Sequence, residues 1–258
     1  MTSEIPARLA ALREAAPPHL APEVLARAGL ADRYAVRPSP LGPVFVAFTS
    51  RGVSLVDLAG DPARFEAAYR ARFGREAAPA EALPARLAAA VDRALAAGRT
   101  RGAPVDLSGL SEFQAAVLHL AAQIPAGEVR PYGWVAREIG RPGSDRAVGN
   151  ALAANPVPLV VPCHRVVRAD GRLGRYSLGA DANKRLLLEA EGLEVEAYEA
   201  LAARGVRYLG SDTTGIYCLP TCRHARRITG RHRVEFRSLA NAVGAGFRPC
   251  RDCRPMAA

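Results

Sequence analysis

The chain has 258 residues, of which 49% are hydrophobic and 23% charged, a balance that sustains a buried core and excludes the disordered and fibrous classes. The N-terminus has no basic start followed by an apolar run, and no stretch approaches about 18 uncharged apolar residues, so a cytoplasmic protein without a membrane partner is expected. The formal charge is +10, but residues 204–258 hold 11 Arg against Asp212, Glu235 and Asp252, which confines +8 of it to the C-terminal fifth and favours a polyanion such as DNA as partner.

In chain order, residues 1–33 show helical apolar spacing (Ile5, Leu9, Leu12, then Val24, Leu25, Leu30) broken at Pro17 and Pro18, and read as a short helical extension. From Tyr34 the pattern turns to strands, YAVRPS, GPVFVAFTS and GVSLVDLA, with Gly42-Pro43 and Arg51-Gly52 as turns. Residues 62–74 and 83–98 read as helices, the second closed by Gly98, and a small antiparallel sheet with flanking helices over 34–107 accommodates both. The stretch 76–90 is Ala/Pro-rich and approaches low complexity. Ser111 opens the helix EFQAAVLHLAAQI, stopped by Pro125-Ala126-Gly127, and residues 108–195 continue as short helices and turns. After the helix YEALAARG the composition becomes Arg- and Cys-rich, which sets residues 205–258 apart as a separate module.

Cys163 stands in VPLVVPCHRVV, where an apolar run ends at a proline and a thiol is followed by His164 and Arg165. An unperturbed thiol is only a few per cent thiolate at neutral pH, and a nearby imidazole or guanidinium raises that fraction. Adjacent side chains do not face each other in a strand or helix, so the triplet alone leaves open a buried structural cysteine.

Residues 111–192 resemble the catalytic domain of the O6-alkylguanine-DNA alkyltransferases, the methylated-DNA–protein-cysteine methyltransferases. The resemblance is carried by FQAAVLHLAAQIPAGEVRPYGWVAREIG, DRAVGNALAANPVPLVVPCHRVVRADGRLGRYSLG and KRLLLEAEG, with PCHRVV the sharpest part. SPLGPVFVAFTSRGVSLVDL is similar to the variable N-terminal domain of the same family. The resemblance implies that Cys163 is nucleophile and alkyl acceptor, that His164 is its base through a water, and that Glu191 orients the imidazole. It implies that Tyr132 protonates the leaving guanine toward N3, although Pro131 replaces the family's small hydroxyl residue before it. Arg146 matches the arginine that fills the gap left by the flipped base, at the start of a recognition helix in a helix-turn-helix. Asn155 matches the hinge asparagine, and Tyr176 and Ser177 match the loop that closes over the alkylated base.

Cys218, Cys222, Cys250 and Cys253 form C-x3-C-x27-C-x2-C, two close pairs at metal-ligand spacing, and four thiolates select tetrahedral zinc over a pair of disulfides. His224 and His232 lie nearby and are expected at the surface. The segment TTGIYCLPTCRHARR through GFRPCRDCRP resembles the metal-binding domain of the Ada adaptive-response protein, which implies a zinc-bound Cys218 able to accept a methyl group from a DNA phosphotriester. The position at the C-terminus departs from that family, and the activator helices that would follow are not found before Ala258, so autoregulation of transcription is not expected.

The expected fold is thus α+β: a ribonuclease-H-like N-terminal domain with a small antiparallel sheet, a mostly helical alkyltransferase domain and a small zinc-bound module. The expected function is single-turnover removal of alkyl groups from O6-alkylguanine, with O4-alkylthymine a second candidate, in double-stranded DNA by a monomer holding structural zinc and no organic cofactor. Two alternatives remain: a non-catalytic lesion sensor, from which a cysteine in an intact PCHR detracts, and a methylation-responsive transcriptional regulator.

Overall fold

The computed structural model describes residues 31–97 and 103–255, together with Val24. Most of the expected helical extension over 1–33 lies outside the described residues, as does Gly98. Residues 31–33 correct that boundary, because they already belong to the first strand.

Strands β1 (Ala31–Arg37), β2 (Val44–Phe48) and β3 (Val53–Leu58) pair antiparallel, with Tyr34 opposite Ala47 and Val46 opposite Val56. Every residue of β2 is buried, and the two-residue period sorts its side chains between two cores. Phe45 and Ala47 pack with Tyr34, Phe65 and Tyr69 beneath helix α1 (Pro62–Phe73), whereas Val44, Val46 and Phe48 enter the central core with Leu87 and Val91 of helix α2 (Ala85–Ala97). Helix α1 begins where Asp61 accepts the Ala63 N–H at 3.0 Å and Pro62 fills a first-turn position that needs no donor.

The sheet is mixed, which corrects the antiparallel expectation. Strand β4 (Glu76–Pro79) lies parallel to β1 in the order β3-β2-β1-β4. A helix between β3 and β4 returns the chain to the end from which β3 started, and such a crossover makes a parallel strand. EAAP has no β-branched residue, so nothing local marked it as a strand within the Ala/Pro-rich stretch.

Helix α3 (Glu112–Ala121) starts on a capping box, Ser111 taking the Gln114 N–H while Gln114 takes that of Ser111. Then follow β5 (Arg130–Pro131), α4 (Tyr132–Glu138), α5 (Asp145–Ala153), the 3-10 turn Cys163–Arg165, β6 (Val166–Val167), α6 (Asp181–Ala190) and α7 (Val195–Ala203). Strands β5 and β6 pair in parallel, which sets the start of α4 beside the end of the Cys163 turn.

A second four-stranded sheet, β10-β8-β7-β9, is built from β7 (Tyr208–Ser211), β8 (Ile216–Cys218), β9 (Arg233–Phe236) and β10 (Arg248–Pro249), with helix α8 (Leu239–Gly244). Val206, Leu209, Leu219 and Ala225 belong to the same buried cluster as Trp134 and Val135, and the Arg-rich segment packs on α4 through Cys253, whose carbonyl takes the Trp134 indole N–H, and Arg254, which pairs with Glu138. Among the described residues, no helix is long and apolar enough to cross a membrane.

Candidate active site and metal centre

The loop Asn155–Pro162 brings Cys163 to the base of a pocket. The Asn155 carboxamide braces that loop, its oxygen taking the Val157 N–H at 3.0 Å and its nitrogen donating to the Val161 carbonyl at 3.0 Å. Leu159 turns the chain between them with a φ of 70°. The Cys163 N–H donates back to the Val161 carbonyl at 2.9 Å, and the residue is buried, 6% exposed.

Cys163, Tyr132, Gly149, Arg175, Tyr176 and Ser177 line this pocket of 230 Å³, smaller than a site for a drug-sized ligand. Tyr132 comes from the first residue of α4, and Gly149 of α5 lies close against its ring. Arg146 stands apart, exposed on the first turn of α5.

On the residue after Cys163, His164 Nε2 and Glu191 Oε1 are 2.7 Å apart. Arg165 clamps the same carboxylate, donating from Nε to Oε2 at 2.9 Å and from Nη2 to Oε1 at 2.7 Å. Burial alone would raise Glu191, but the hydrogen bonds from His164 and Arg165 hold it down at about 2. Burial pushes the Cys163 thiol up, opposed by the Asn155 amide and the Lys184 charge, and pushes His164 down, opposed by Glu191. The resting pair is therefore a neutral thiol beside a neutral imidazole, with a permanent carboxylate ready to stabilise an imidazolium. Among the described residues, the buried side-chain polar atoms without a hydrogen-bond partner are His164 Nδ1 and Tyr176 Oη. Both belong to this site, and the two rings meet edge to face at 6.2 Å.

Two further residues act here that the sequence reading did not assign. It offered Arg165 only as a neighbour of the thiol, and the structure spends its guanidinium on Glu191. Lys184, buried in α6, donates to the Val166 carbonyl at 2.7 Å and is lowered to about 8 by burial, partly offset by Cys163. Its signal in the sequence was being the one lysine among 35 cationic residues. A compact ammonium fits a buried position where a planar guanidinium would need more partners.

Cys218, Cys222, Cys250 and Cys253 bring their sulfurs within 4.8 Å of one another, all four buried. A tetrahedral zinc site with Zn–S near 2.3 Å has sulfur–sulfur edges of about 3.8 Å, so the set fits a zinc ion with small adjustments. The Leu219 N–H donates to Cys253 Sγ at 3.4 Å, as a thiolate sulfur would favour. His224 and His232 remain outside the cluster, each against an aspartate, Asp252 and Asp212 respectively. A cleft of 770 Å³ opens beside Cys218 and Cys250, lined also by Arg227, Arg248 and Arg251.

Residues 112–193 match the family of the 6-O-methylguanine DNA methyltransferase, DNA binding domain. The methylated-DNA–protein-cysteine methyltransferase of Methanosarcina acetivorans is 37% identical over 164 residues, which covers 62% of this chain and 97% of that protein. The chain belongs to this methyltransferase family. Residues 196–256 match the metal binding domain of Ada, so a second family joins the methyltransferase in one chain. The bifunctional transcriptional activator/DNA repair enzyme Ada of Escherichia coli is 36% identical over 171 residues, 64% of this chain and 47% of Ada. The methyltransferase of Methanothermobacter thermautotrophicus is 46% identical over 92 residues, 36% of this chain and 51% of that one, so the chain spans about half the length of these last two relatives. Among solved structures, Mycobacterium tuberculosis OGT in complex with DNA superposes with a TM-score of 0.51 at 29% identity, covering 65% of this chain and 99% of that one.

Proposed function

We propose that the protein reverses DNA damage by moving the alkyl group of O6-alkylguanine onto Cys163, once per molecule. The observation that carries this reading is the Cys163 thiol in a small pocket it shares with Tyr132, Tyr176 and Ser177, with the next residue, His164, paired to Glu191 and its ring against that of Tyr176. His164 accepts the thiol proton, through a water at Nδ1. The Cys163 sulfur then attacks the alkyl carbon, an S–C bond forms, and the C–O6 bond breaks with its electron pair on guanine. Tyr132 donates its phenolic proton to N3 of that leaving base. The product is a thioether that no group in the site reverses.

Arg146, exposed on α5, fills the duplex where the base is flipped out, while Asn155 couples α5 to the Cys163 loop and Tyr176 and Ser177 close over the base. The partner is double-stranded DNA, the protein acts as a monomer in the cytoplasm, and O4-alkylthymine is the second base to test. The chain divides into an N-terminal domain over 34–107, ribonuclease-H-like in the order β3-β2-β1-β4, a catalytic domain over 108–195 and an Ada-like module over 205–258. Zinc bound by the four cysteines would keep their sulfurs as thiolates. The Arg-lined cleft beside Cys218 suits a DNA phosphate, which makes Cys218 a candidate second methyl acceptor.

The test is incubation with a duplex carrying one O6-methylguanine, followed by intact mass and a peptide map. One added methyl on the Cys163 peptide, absent in Cys163→Ala, is expected; tight lesion binding with no added mass would make the protein a sensor.

A further inference from the structure

The segment Gly127–Trp134 is held from two sides. On one side it meets the cysteine-rich module. The Val129 N–H donates to Thr221 Oγ1 at 2.9 Å, and the Thr221 hydroxyl donates to the Val129 carbonyl at 3.3 Å. The Arg223 N–H donates to Glu128 Oε1 at 3.0 Å, and Glu128 Oε2 takes Arg130 at 2.6 Å. The Trp134 indole N–H donates to the Cys253 carbonyl at 3.0 Å. Thr221 and Arg223 flank Cys222, so the bonds to Thr221, Arg223 and Cys253 each end on or next to a candidate zinc ligand.

On the other side the same segment builds the pocket. The Gly127 N–H donates to Glu191 Oε2 at 3.3 Å, β5 pairs with β6 immediately after the Cys163 turn, and Tyr132 lines the pocket. The Glu128–Arg130 ion pair is 4% exposed on both sides, and the second carboxylate oxygen is satisfied from the module by the Arg223 N–H. A small module with four crowded thiols depends on its metal for order.

We propose that the metal-loaded cysteine cluster is a positioning element for the reaction at Cys163. By fixing Thr221, Arg223 and Cys253 it holds residues 127–134, and through them Tyr132 and the Glu191 carboxylate, in reacting geometry. Thr221 and Trp134 are positioning residues, touching neither the base nor the thiol. The proposal rests on the alkyl-transfer reading of Cys163, and it gives the module a role in addition to DNA binding.

Trp134 is the single tryptophan of the chain, so its emission reports on this junction without reference to activity. The experiment uses the full-length zinc-loaded protein as wild type, Thr221→Val and Thr221→Ser. It follows single-turnover methylation of Cys163 by an O6-methylguanine duplex, lesion affinity, zinc content, and Trp134 emission before and after chelation. Thr221→Val is expected to keep its zinc and lesion affinity but to methylate about tenfold more slowly, the size of effect a small misplacement of reacting groups produces. Thr221→Ser restores the rate, and chelation shifts Trp134 emission to the red while slowing the wild type. A wild-type rate in Thr221→Val, or unchanged emission and rate after chelation, overturns the proposal. Wild-type protein that never methylates Cys163 overturns the alkyl-transfer reading instead, and the emission still decides whether the junction senses the metal. Should Thr221→Val lose zinc, the response of the wild type to chelation, in methylation rate and in Trp134 emission, decides by the same criteria.

Discussion

His164 and Glu191 lie 2.7 Å apart with side chains only 2% and 6% exposed, so the carboxylate is held in a site that would otherwise protonate it. Its pKa, about 2, lies below the ordinary 4.5. A group depressed on folding contributes stability that is complete above its unfolded value and lost as pH falls through the folded one. At 1.36 kcal/mol per unit the contribution is on the order of 3 kcal/mol. Glu191→Gln should therefore lower stability at pH 7 by about that amount, with the gap to wild type shrinking between pH 4.5 and pH 2. Denaturant titrations at pH 7 and pH 3 check this, and a gap of equal size at both would contradict it.

The charge on Lys184 is the second lever on the thiol. It pulls the Cys163 pKa down against the effect of burial, and it satisfies the Val166 carbonyl at the end of the Cys163 turn. In Lys184→Met the thiol loses that opposing charge, which is present below about pH 8, so both its reaction with a neutral alkylating reagent and methyl transfer at pH 7 should slow by about tenfold. The rate of thiol labelling at pH 7 measures the first effect directly. An unchanged labelling rate would mean that Asn155 and the backbone N–H groups of Cys163 and His164 offset burial without it.

What the sequence disclosed follows from where its signals are local. The strands β1 to β3 and the helices α1 to α3 announce themselves through periodicity and caps, Ser111 and Gln114 above all. The two cysteine pairs show metal-ligand spacing directly, whereas PCHR alone leaves a buried structural cysteine open, and the roles expected of Cys163, His164 and Glu191 rest on the resemblance to the alkyltransferases. Strand β4 was hidden because EAAP gains its strand conformation from pairing with β1, a tertiary interaction that overrides weak local preference. The docking of the C-terminal module was equally hidden. Thr221 and Val129 are 92 residues apart, and neither residue type suggests the other. Arg165 illustrates the limit of adjacency, since its position beside Cys163 suggested a partner for the thiol while the turn directs it to Glu191.

Gly127 ties the junction to the Glu191 carboxylate, its N–H donating to Oε2 at 3.3 Å. Its φ is +71°, and a Cβ there would stand 2.9 Å from the Glu191 carbonyl oxygen and 3.3 Å from Arg226 Nη1. The first neighbour is backbone and cannot swing away. Gly127→Ala should cost about 2 kcal/mol, from the left-handed conformation together with the clash, and should slow Cys163 methylation beyond what the loss of stability explains. Thermal melts with single-turnover rates at a temperature where both proteins are fully folded separate the two effects. A destabilised variant with an unchanged rate would show that Glu191 tolerates the displacement.

The Arg-lined cleft makes a prediction about salt. Arg227, Arg248 and Arg251 are exposed around the opening beside Cys218, far along the chain from the pocket of Cys163. Removing the whole segment would expose Trp134 and the buried Glu128–Arg130 pair, so deletion would confound DNA binding with the loss of a core. Substituting the three arginines by Gln leaves that packing intact and removes only charge. Each arginine that pairs with a phosphate adds about one to the slope of log affinity against log salt, so the triple variant should show a slope shallower by up to about three and bind the duplex more weakly at moderate salt. Methylation of Cys163 at saturating duplex should remain at the wild-type rate, because no member of the triple touches Glu191, Tyr132 or Thr221. Affinities measured across a salt series decide the matter, and an unchanged slope would assign DNA binding to the α4–α5 surface alone.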